Sequence, residues 1–371
     1  MDFGIGIIGA TGYIGVPYRK EIRESGESTS GESATIVALC ARRQDRLQAA
    51  AAEDGADVAT RDWREVVEHP DVNLVLVLTP DALHVEPAVA AAELGKHVFC
   101  EKPLGANLAE ATLIRQAVRK TGVAHFVPFW TRYVPVFRRA RELVQQGRLG
   151  DVRAFVYRWH NPRPVGMPFT WRDDADYSAA GSIADVGSHA YDILRFILGQ
   201  EAKRVLAHAA VIMPAKRDLG EINLEEAIER GQGDSVSEGP RRQATAPDYA
   251  QVILEYANGR IGSISVSHAS YVRKGFAPEL ELHGTAGSLS VDRVTDTLLW
   301  ADRPAPATPL ETVPEEANVN RFQQHVFPAL RDRNAGEETI HPDIDDGWHV
   351  QSFTDAVVAS THSGGWVAVD Q

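Results

Sequence analysis

Three glycines mark the stretch of this sequence best suited to hold a charged ligand. Gly6-Ile7-Ile8-Gly9-Ala10-Thr11-Gly12-Tyr13-Ile14-Gly15 follows a short apolar run and precedes a helix-forming segment. Glycines at 9, 12 and 15 let the backbone turn tightly and approach a pyrophosphate. The helix behind them offers unpaired N–H groups and the positive end of its dipole. The spacing is one residue looser than G-x-G-x-x-G, with Thr11 in the place of the middle glycine. The turn predicts Gly9, Thr11, Gly12, Tyr13 and Ile14 as contacts to a dinucleotide; the alternative is a strand–helix turn that needs glycine only for its geometry. After the second apolar run, Leu39-Cys40-Ala41-Arg42-Arg43 lacks the carboxylate that would bind a ribose 2′-hydroxyl and supplies two cations suited to a 2′-phosphate. Ala41, Arg42 and Arg43 thus favour NADP, while an arginine stacked on adenine, or simply exposed at a helix start, leaves NAD open.

Further along, Lys102 of Glu101-Lys102-Pro103 falls just past a fourth apolar run. A residue there emerges at the carboxyl edge of a parallel sheet, where open α/β sheets bind ligands. Taken alone, it reads equally as a solvated loop lysine or a partner of Glu101. Asp185 and His189 are four apart, so on a helix they share a face, where the carboxylate could orient the imidazole or bond a ligand. Such a pair is more often a surface pair or a cap, and Asp192 offers a competing structural account. No His-x-His, cysteine cluster or second carboxylate set completes a shell around it, so no metal is expected.

These residues need a scaffold, and the apolar pattern supplies one. From Phe3 to about Phe126, short β-branched runs at Phe3–Ile8, Thr35–Cys40, Leu74–Leu78, His97–Cys100 and Ala124–Val127 alternate with helical segments at 46–53, 63–68, 84–94 and 108–120. That alternation predicts a parallel sheet built from strand–helix–strand units. Gly55, Gly95 and Gly122 stand where helix C-terminal glycines belong. After Pro128 the rhythm changes. Helices are expected at 136–146 and from about 183 to 198, and strands at 152–159, 205–213, 249–256, 262–268 and 279–283. Asn258-Gly259 marks a hairpin, and the succession of strands suggests a mixed or antiparallel sheet. Two late helices, near 321–332 and 347–360, precede a last strand near 366–369. The fold class is therefore an α/β Rossmann dinucleotide-binding domain, residues 1–127, plus an α+β domain with a large open mixed sheet, residues 128–371. The stretch 24–33 reads as an exposed loop and 214–247 as a mobile excursion or lid.

Composition sets outer limits. The chain has 371 residues, enough for two domains, with 38 Lys and Arg against 51 Asp and Glu for a net charge of −13. An acidic surface argues against nucleic acid as a partner. Two cysteines, Cys40 and Cys100, cannot make a disulfide framework, and no stretch approaches the 18 apolar residues of a membrane span. A cytoplasmic protein with neither a membrane nor a nucleic-acid partner is expected.

The run Thr79-Pro80, His84 and Gly95-Lys96-His97-Val98-Phe99-Cys100-Glu101-Lys102-Pro103-Leu104, with the glycine turn, resembles the glucose-fructose oxidoreductase, inositol dehydrogenase and rhizopine-catabolism (Gfo/Idh/MocA) family. The resemblance continues through Phe129–Pro135, Gly147–Gly150, Trp171-Arg172, Ala180–His189, His283–Ser288 and Ser363–Val367, nearly the whole chain. The departures are the loosened glycine turn, the missing acid after the second strand and the polar stretch 214–247.

The resemblance implies an oxidoreductase with bound NADP or NAD, moving a hydride to or from a secondary alcohol carbon of a sugar, cyclitol or other polyol. An alternative within the family is a glycosidase that oxidises transiently, eliminates and returns the hydride. It also implies that Lys102, Asp185 and His189 line the reacting carbon. His189 is then the expected proton acceptor, with Asp185 fixing it and Lys102 as electrostatic partner or alternate base. Thr79, Pro80, His84 and Glu101 are expected along the cofactor, and Arg132, Tyr133, His160, Trp171 and Arg172 in the substrate pocket beside the catalytic three. Arg172 paired to Asp173 or Asp174 is the structural alternative. The active site is expected at the seam of the two domains, and the sheet of the second domain is expected to make homodimers or homotetramers.

Overall fold

The computed structural model describes residues 1–25, 32–178, 180–220, 222–232, 239–302, 306–315, 317 and 319–371. Two compact units emerge. The first comprises Met1–Pro128, Asn223–Glu225 and Asn318–Trp348; the second comprises Phe129–Ile222, Glu226–Ala317 and His349–Gln371. The first unit's opening stretch ends at Pro128, beside the expected boundary, and the unit also takes in the late segment Asn318–Trp348. The chain returns to the first unit because its late aromatic residues complete that core. Phe322 stacks on Phe99 at 5.7 Å and meets Tyr18 edge-on at 5.3 Å, and Phe327 stacks on Phe3 at 4.9 Å.

In chain order the first unit runs β1 (Asp2–Ile8), α1 (Gly15–Ser25), β2 (Ser33–Cys40), α2 (Gln44–Asp54), β3 (Val58–Thr60), α3 (Trp63–Glu68), β4 (Leu74–Val77), α4 (Val85–Glu93), β5 (His97–Cys100), α5 (Leu108–Thr121) and β6 (His125–Phe126). The six strands pair in parallel in the order β3-β2-β1-β4-β5-β6. This is the doubly wound arrangement, whose strand order reverses between β1 and β4. Strands covered on both faces must be apolar throughout, and Leu74 to Val77 are all fully buried. Gly55, Gly95 and Gly122 end their helices at φ of 68°, 72° and 70°, a left-handed turn that only glycine makes without strain. The short strand β3 escapes the sequence pattern because three residues carry no periodicity.

The second unit is built on a nine-stranded sheet. Its elements are α6 (Pro135–Gln145), β7 (Val152–His160), α7 (Ser188–Leu198), β8 (Arg204–Ala210), β9 (Lys216–Arg217), α8 (Leu224–Gly231), β10 (Arg241–Arg242), β11 (Tyr249–Glu255), β12 (Ile261–Ser267), β13 (Leu280–Gly284), β14 (Ser288–Asp292), β15 (Thr297–Ala301) and β16 (Thr308–Thr312). Helix α8 begins within the short segment assigned to the first unit. Two late helices, α9 (Phe327–Asn334) and α10 (Ile344–Ser363), precede the closing strand β17 (Val367–Ala368). The sheet order is β16-β15-β14-β13-β7-β12-β11-β8-β17, and every pairing in it is antiparallel except β7 with β12. Asn258-Gly259 does turn the β11–β12 hairpin, with Gly259 at φ 78°.

Residues 26–31 of the expected exposed loop, and 221 and 233–238 of the expected lid, lie outside the described residues. The described remainder of 214–247 is not a free excursion. β9 pairs with β10, and Ala244 and Ala246 are buried. No helix of the described residues is long and apolar enough to cross a membrane.

Candidate active site

The glycine turn joins β1 to α1 at the strand-order reversal. Gly9 has φ +94°, and a Cβ there would sit 2.7 Å from the Leu78 carbonyl oxygen; a Cβ on Gly15 would sit 2.5 Å from the Gly9 carbonyl oxygen. Those two glycines are demanded by the protein itself. Gly12 differs, since a Cβ there meets only the Gly9 carbonyl, at 3.2 Å. Its pressure for glycine comes chiefly from the open side. The amides of Thr11, Tyr13 and Ile14 donate to no backbone carbonyl among the described residues. Three N–H groups that donate to no backbone carbonyl among the described residues fit a pyrophosphate.

At the end of β2, Ala41 is buried and bonds the Thr60 carbonyl at 3.3 Å, while Arg42 and Arg43 are exposed. Arg43 lies 3.5 Å from Asp45. No acid follows β2 directly, but Asp62 and Glu65 of the next turn and helix act on Cys40. Burial first, and these two carboxylates after it, push the Cys40 thiol up to about 11.

Past β4 and β5 the chain is tied by His84. Its imidazole is fully buried, with Nε2 2.8 Å from the Thr79 carbonyl and Nδ1 3.0 Å from the Pro103 carbonyl. His84 therefore fixes the loop carrying Thr79 and Pro80 to the loop carrying Lys102. Glu101 accepts from the Tyr18 hydroxyl at 2.7 Å and from the Lys102 backbone N–H at 3.1 Å. Lys102 is half-buried one residue beyond Glu101, past the carboxyl end of β5.

In the second unit, candidate groups stand at the carboxyl end of the parallel pair β7–β12. His160, the last residue of β7, is in register with Ser267, the last of β12. Residues following both strands must emerge together, and the Arg163 amide donates to the His268 carbonyl at 3.0 Å. Asp185 lies in a π-helical turn, Ile183–Gly187, that runs into α7, and His189 is the second residue of α7. Widened turns of this kind are frequent at functional sites. The carboxylate of Asp185 lies 2.9 Å from Arg163 Nη2, 3.0 Å from Arg172 Nη1 and 2.9 Å from His268 Nε2. Burial, followed by the charge of Arg163, pulls the His268 imidazole down to about 4.

His189 is half-buried, and two aromatic rings frame its imidazole. Trp159 lies near-parallel to it at 5.5 Å, and Phe129 meets it edge-on at 6.0 Å. Three side chains other than His189 engage the Asp185 carboxylate. Gly181 is a packing requirement. Its φ is +49°, and a Cβ would sit 2.2 Å from the Pro247 carbonyl oxygen.

The expected pocket residues divide. Arg172 is brought directly to Asp185, rather than to Asp173 or Asp174, which pair with Lys216 and Arg242. Trp171 lies under the Arg172 guanidinium at 4.5 Å. His160 is held by Ser265 Oγ at 2.9 Å and lies 3.3 Å from the Arg273 carbonyl; burial lowers its affinity for a proton. Tyr133 packs against Trp130 at 6.0 Å. Arg132 is engaged by a carboxylate of α7. It is buried, and its guanidinium makes a two-pronged ion pair with Asp192 at 2.8 and 2.6 Å. Sequence reasoning misses Arg163, His268, Trp159 and Phe129. The parallel pairing of two strands a hundred residues apart was the signal needed for the first two, and no local pattern reveals it. No group of three or more potential metal ligands occurs among the described residues.

Comparison with known proteins supplies independent findings. Residues 3–129 match the family model described as oxidoreductase family, NAD-binding Rossmann fold, and residues 137–290 match the GFO/IDH/MocA C-terminal domain. The chain is 28% identical to levoglucosan dehydrogenase of Pseudarthrobacter phenanthrenivorans over 87% of its own length and 86% of that protein's. It is 27% identical to myo-inositol 2-dehydrogenase of Thermotoga maritima, over 79% and 76% of the two chains. An oxidoreductase domain protein from Kribbella flavida has the same fold, with a TM-score of 0.82, 26% identity and complete coverage of both chains.

Proposed function

The chain belongs to the Gfo/Idh/MocA family of oxidoreductases, and on that premise we propose that it transfers a hydride to or from a secondary alcohol carbon of a sugar, cyclitol or related polyol. The observation that carries this reading is the pairing of two chemistries in one chain: a glycine turn with free amides at Thr11, Tyr13 and Ile14, and a half-buried imidazole framed by Trp159 and Phe129. Relatives acting on levoglucosan and myo-inositol support the substrate class. A nicotinamide dinucleotide, when bound, supplies the hydride acceptor or donor.

The chain's own residues do the rest. The turn from Gly9 to Ile14 holds the diphosphate, with Thr79, Pro80 and Glu101 along the cofactor. Arg42 and Arg43 favour a 2′-phosphate, hence NADP over NAD. His189 takes the hydroxyl proton as the alcohol is oxidised, and Lys102 assists as a cation beside the developing alkoxide or as an alternate base. Asp185 and Arg172 bind the substrate. The enzyme acts in the cytoplasm, and copies pair through the nine-stranded sheet, on which Ile253 and Ile261 are 40% and 48% exposed.

The test is a screen of sugars, inositols and glycosides with NAD and NADP, followed at the nicotinamide absorbance. Net cofactor reduction with at least one polyol is expected, and His189→Ala and Lys102→Ala should each lower kcat at least a hundredfold without moving the thermal midpoint. Aglycone release with no net cofactor change would replace the dehydrogenase with the redox-neutral glycosidase. Full activity of both variants would remove the assigned roles.

A further inference from the structure

We propose that Arg293 is a positioning residue for His189, acting through Trp159. The proposal rests on the oxidoreductase reading for what His189 does, and on contacts within the second unit for how its ring is held.

Contacts link four side chains in turn. Trp159 lies near-parallel to the His189 imidazole at 5.5 Å, and the Arg293 guanidinium lies over the same indole, 4.1 Å from its centre. Arg293 Nη2 is 3.2 Å from Glu279 Oε1, and the Tyr157 hydroxyl donates to that oxygen at 3.4 Å. The sheet brings these residues together from distant positions. Tyr157 and Trp159 are two apart on β7 and share a face. Strand β13, which starts directly after Glu279, sets Leu280 opposite both Tyr157 of β7 and Val291 of β14, and β14 ends one residue before Arg293. Glu279 and Arg293 therefore stand at one end of a three-stranded ribbon, from which Arg293 reaches past β13 to the indole on β7.

Burial makes the far end of this chain of contacts firm. Trp159 is buried, and the side chain of Glu279 is 6% exposed against 27% for Arg293. A carboxyl group so enclosed must be hydrogen-bonded, and Tyr157 and Arg293 bond it. Its backbone is tied as well, the Glu279 carbonyl accepting from the Arg158 amide at 2.7 Å. Burial, with the charge of Asp292 added, raises Glu279 to about 7 against the pull of Arg293. Neutral or ionised, the carboxyl keeps an oxygen that accepts from the guanidinium, so Arg293 is anchored in both states.

The near end sets the reacting ring. An imidazole takes a proton from an alcohol only where its nitrogen points, and a misplacement of about 1 Å can cost on the order of a hundredfold in rate. Phe129 meets the His189 ring edge-on at 6.0 Å, and Trp159 defines the plane against which it lies. A guanidinium is drawn to the π-face of an indole, which holds the indole in that plane. Arg293 thus acts on the reaction without touching the imidazole, as groups that lock the rotamers around a site do.

The test pairs steady-state kinetics with NMR of the full chain labelled at histidine Cε1, the His189 signal being identified by its loss in His189→Gln. Arg293→Met, with its fold checked by thermal midpoint, should lower kcat about tenfold with KM within about twofold. Arg293→Lys, which keeps a cation for the indole, should recover most of that loss. Trp159→Leu should lower kcat by a similar factor, and adding Arg293→Met to it should cost less than about a further twofold, because the path to His189 is already gone. The His189 signal should move in Arg293→Met in the same direction as in Trp159→Leu, which removes the ring-current shielding of the stacked indole. Should Arg293→Met fail to fold, Glu279→Leu releases the guanidinium from its other end and should give the same displacement with about a threefold loss of kcat or more. A rise in KM with kcat kept, an unmoved His189 signal, or full additivity of the two substitutions would overturn the proposal. The two readings fail separately. A parent chain that reduces neither cofactor with any polyol sinks the oxidoreductase assignment while the NMR displacement still decides the positioning, and polyol turnover with a His189 signal indifferent to Arg293 sinks the positioning alone.

Discussion

Replacing Arg132 or Asp192 tests whether this ion pair is architecture or substrate machinery. The two side chains are 8% and 0% exposed and bond through two parallel contacts of 2.8 and 2.6 Å. Breaking such a buried pair from one side costs about 3–5 kcal/mol, because the surviving charge stays buried without its partner. The surroundings decide which side costs more. Asp192 also lies 3.6 Å from Arg195, and Arg132 and Arg141 both lie over the Phe196 ring, at 5.4 and 4.4 Å. Burial, with Arg132 nearby, already makes Arg141 easier to deprotonate. Removing the carboxylate leaves three guanidinium groups crowded around α7, with Glu201 answering only Arg195. Removing Arg132 leaves Asp192 with Arg195. Arg132→Met should therefore cost about 3 kcal/mol and Asp192→Asn about 5 kcal/mol. At roughly 2–4 °C per kcal/mol for a unit of this size, the midpoints fall by about 6–12 °C and 10–20 °C. Differential scanning fluorimetry and urea unfolding read these shifts, and steady-state kinetics on the native fraction should give a KM within twofold of the parent. Arg132→Met combined with Asp192→Leu should be less destabilised than Asp192→Asn alone, since no charge is then stranded between the pair. An unchanged midpoint with a tenfold higher KM for Arg132→Met would return that arginine to the pocket.

Three further outcomes are expected. Gly9→Ala should destabilise the first unit, because its φ of +94° and a 2.7 Å Cβ contact with a carbonyl leave no room; Gly12→Ala should leave unfolding nearly unchanged and weaken NADH binding in a fluorescence titration tenfold or more. His268, held down to about 4, adds stability above its ordinary 6.5 that is lost as pH falls through 6.5 towards 4. That is on the order of 3 kcal/mol, so His268→Gln should flatten the urea-unfolding stability profile over that window. Glu279, raised to about 7 chiefly by burial, adds stability that is complete below 4.5 and lost as pH rises through 7; Glu279→Gln should gain on the parent between pH 5 and 8, and a constant difference across that range would refute the buried neutral acid.

What the sequence discloses follows from how local each constraint is. The glycine turn, the helix-ending glycines and the four-residue runs of the parallel sheet are each set by neighbours within a few positions, so pattern alone finds them. The strands β14, β15 and β16 escape notice because they are short and part-exposed, as in Thr297–Ala301, where only Leu298 is buried. Phe322 and Phe327 look like an ordinary late helix until the aromatic residues they meet, some two to three hundred positions earlier, are known.

Charged side chains are the hardest to assign, and for one physical reason. An arginine in a pocket-forming segment looks the same in sequence whether it faces a ligand or a carboxylate 60 positions away, as Arg132 does. Only the partners that the fold brings from distant positions distinguish the cases. Arg132 holds Asp192 on two prongs, with Arg195 3.6 Å from the same carboxylate, whereas Arg172 meets Asp185 beside Arg163 and His268. Pairing Arg172 with its sequence neighbours fails for that reason, since the carboxylate it meets is Asp185. A carboxylate that guanidinium groups approach from distant segments, as Asp192 and Asp185 are approached, leaves no local trace in the sequence, so the assignment of each arginine waits on the fold.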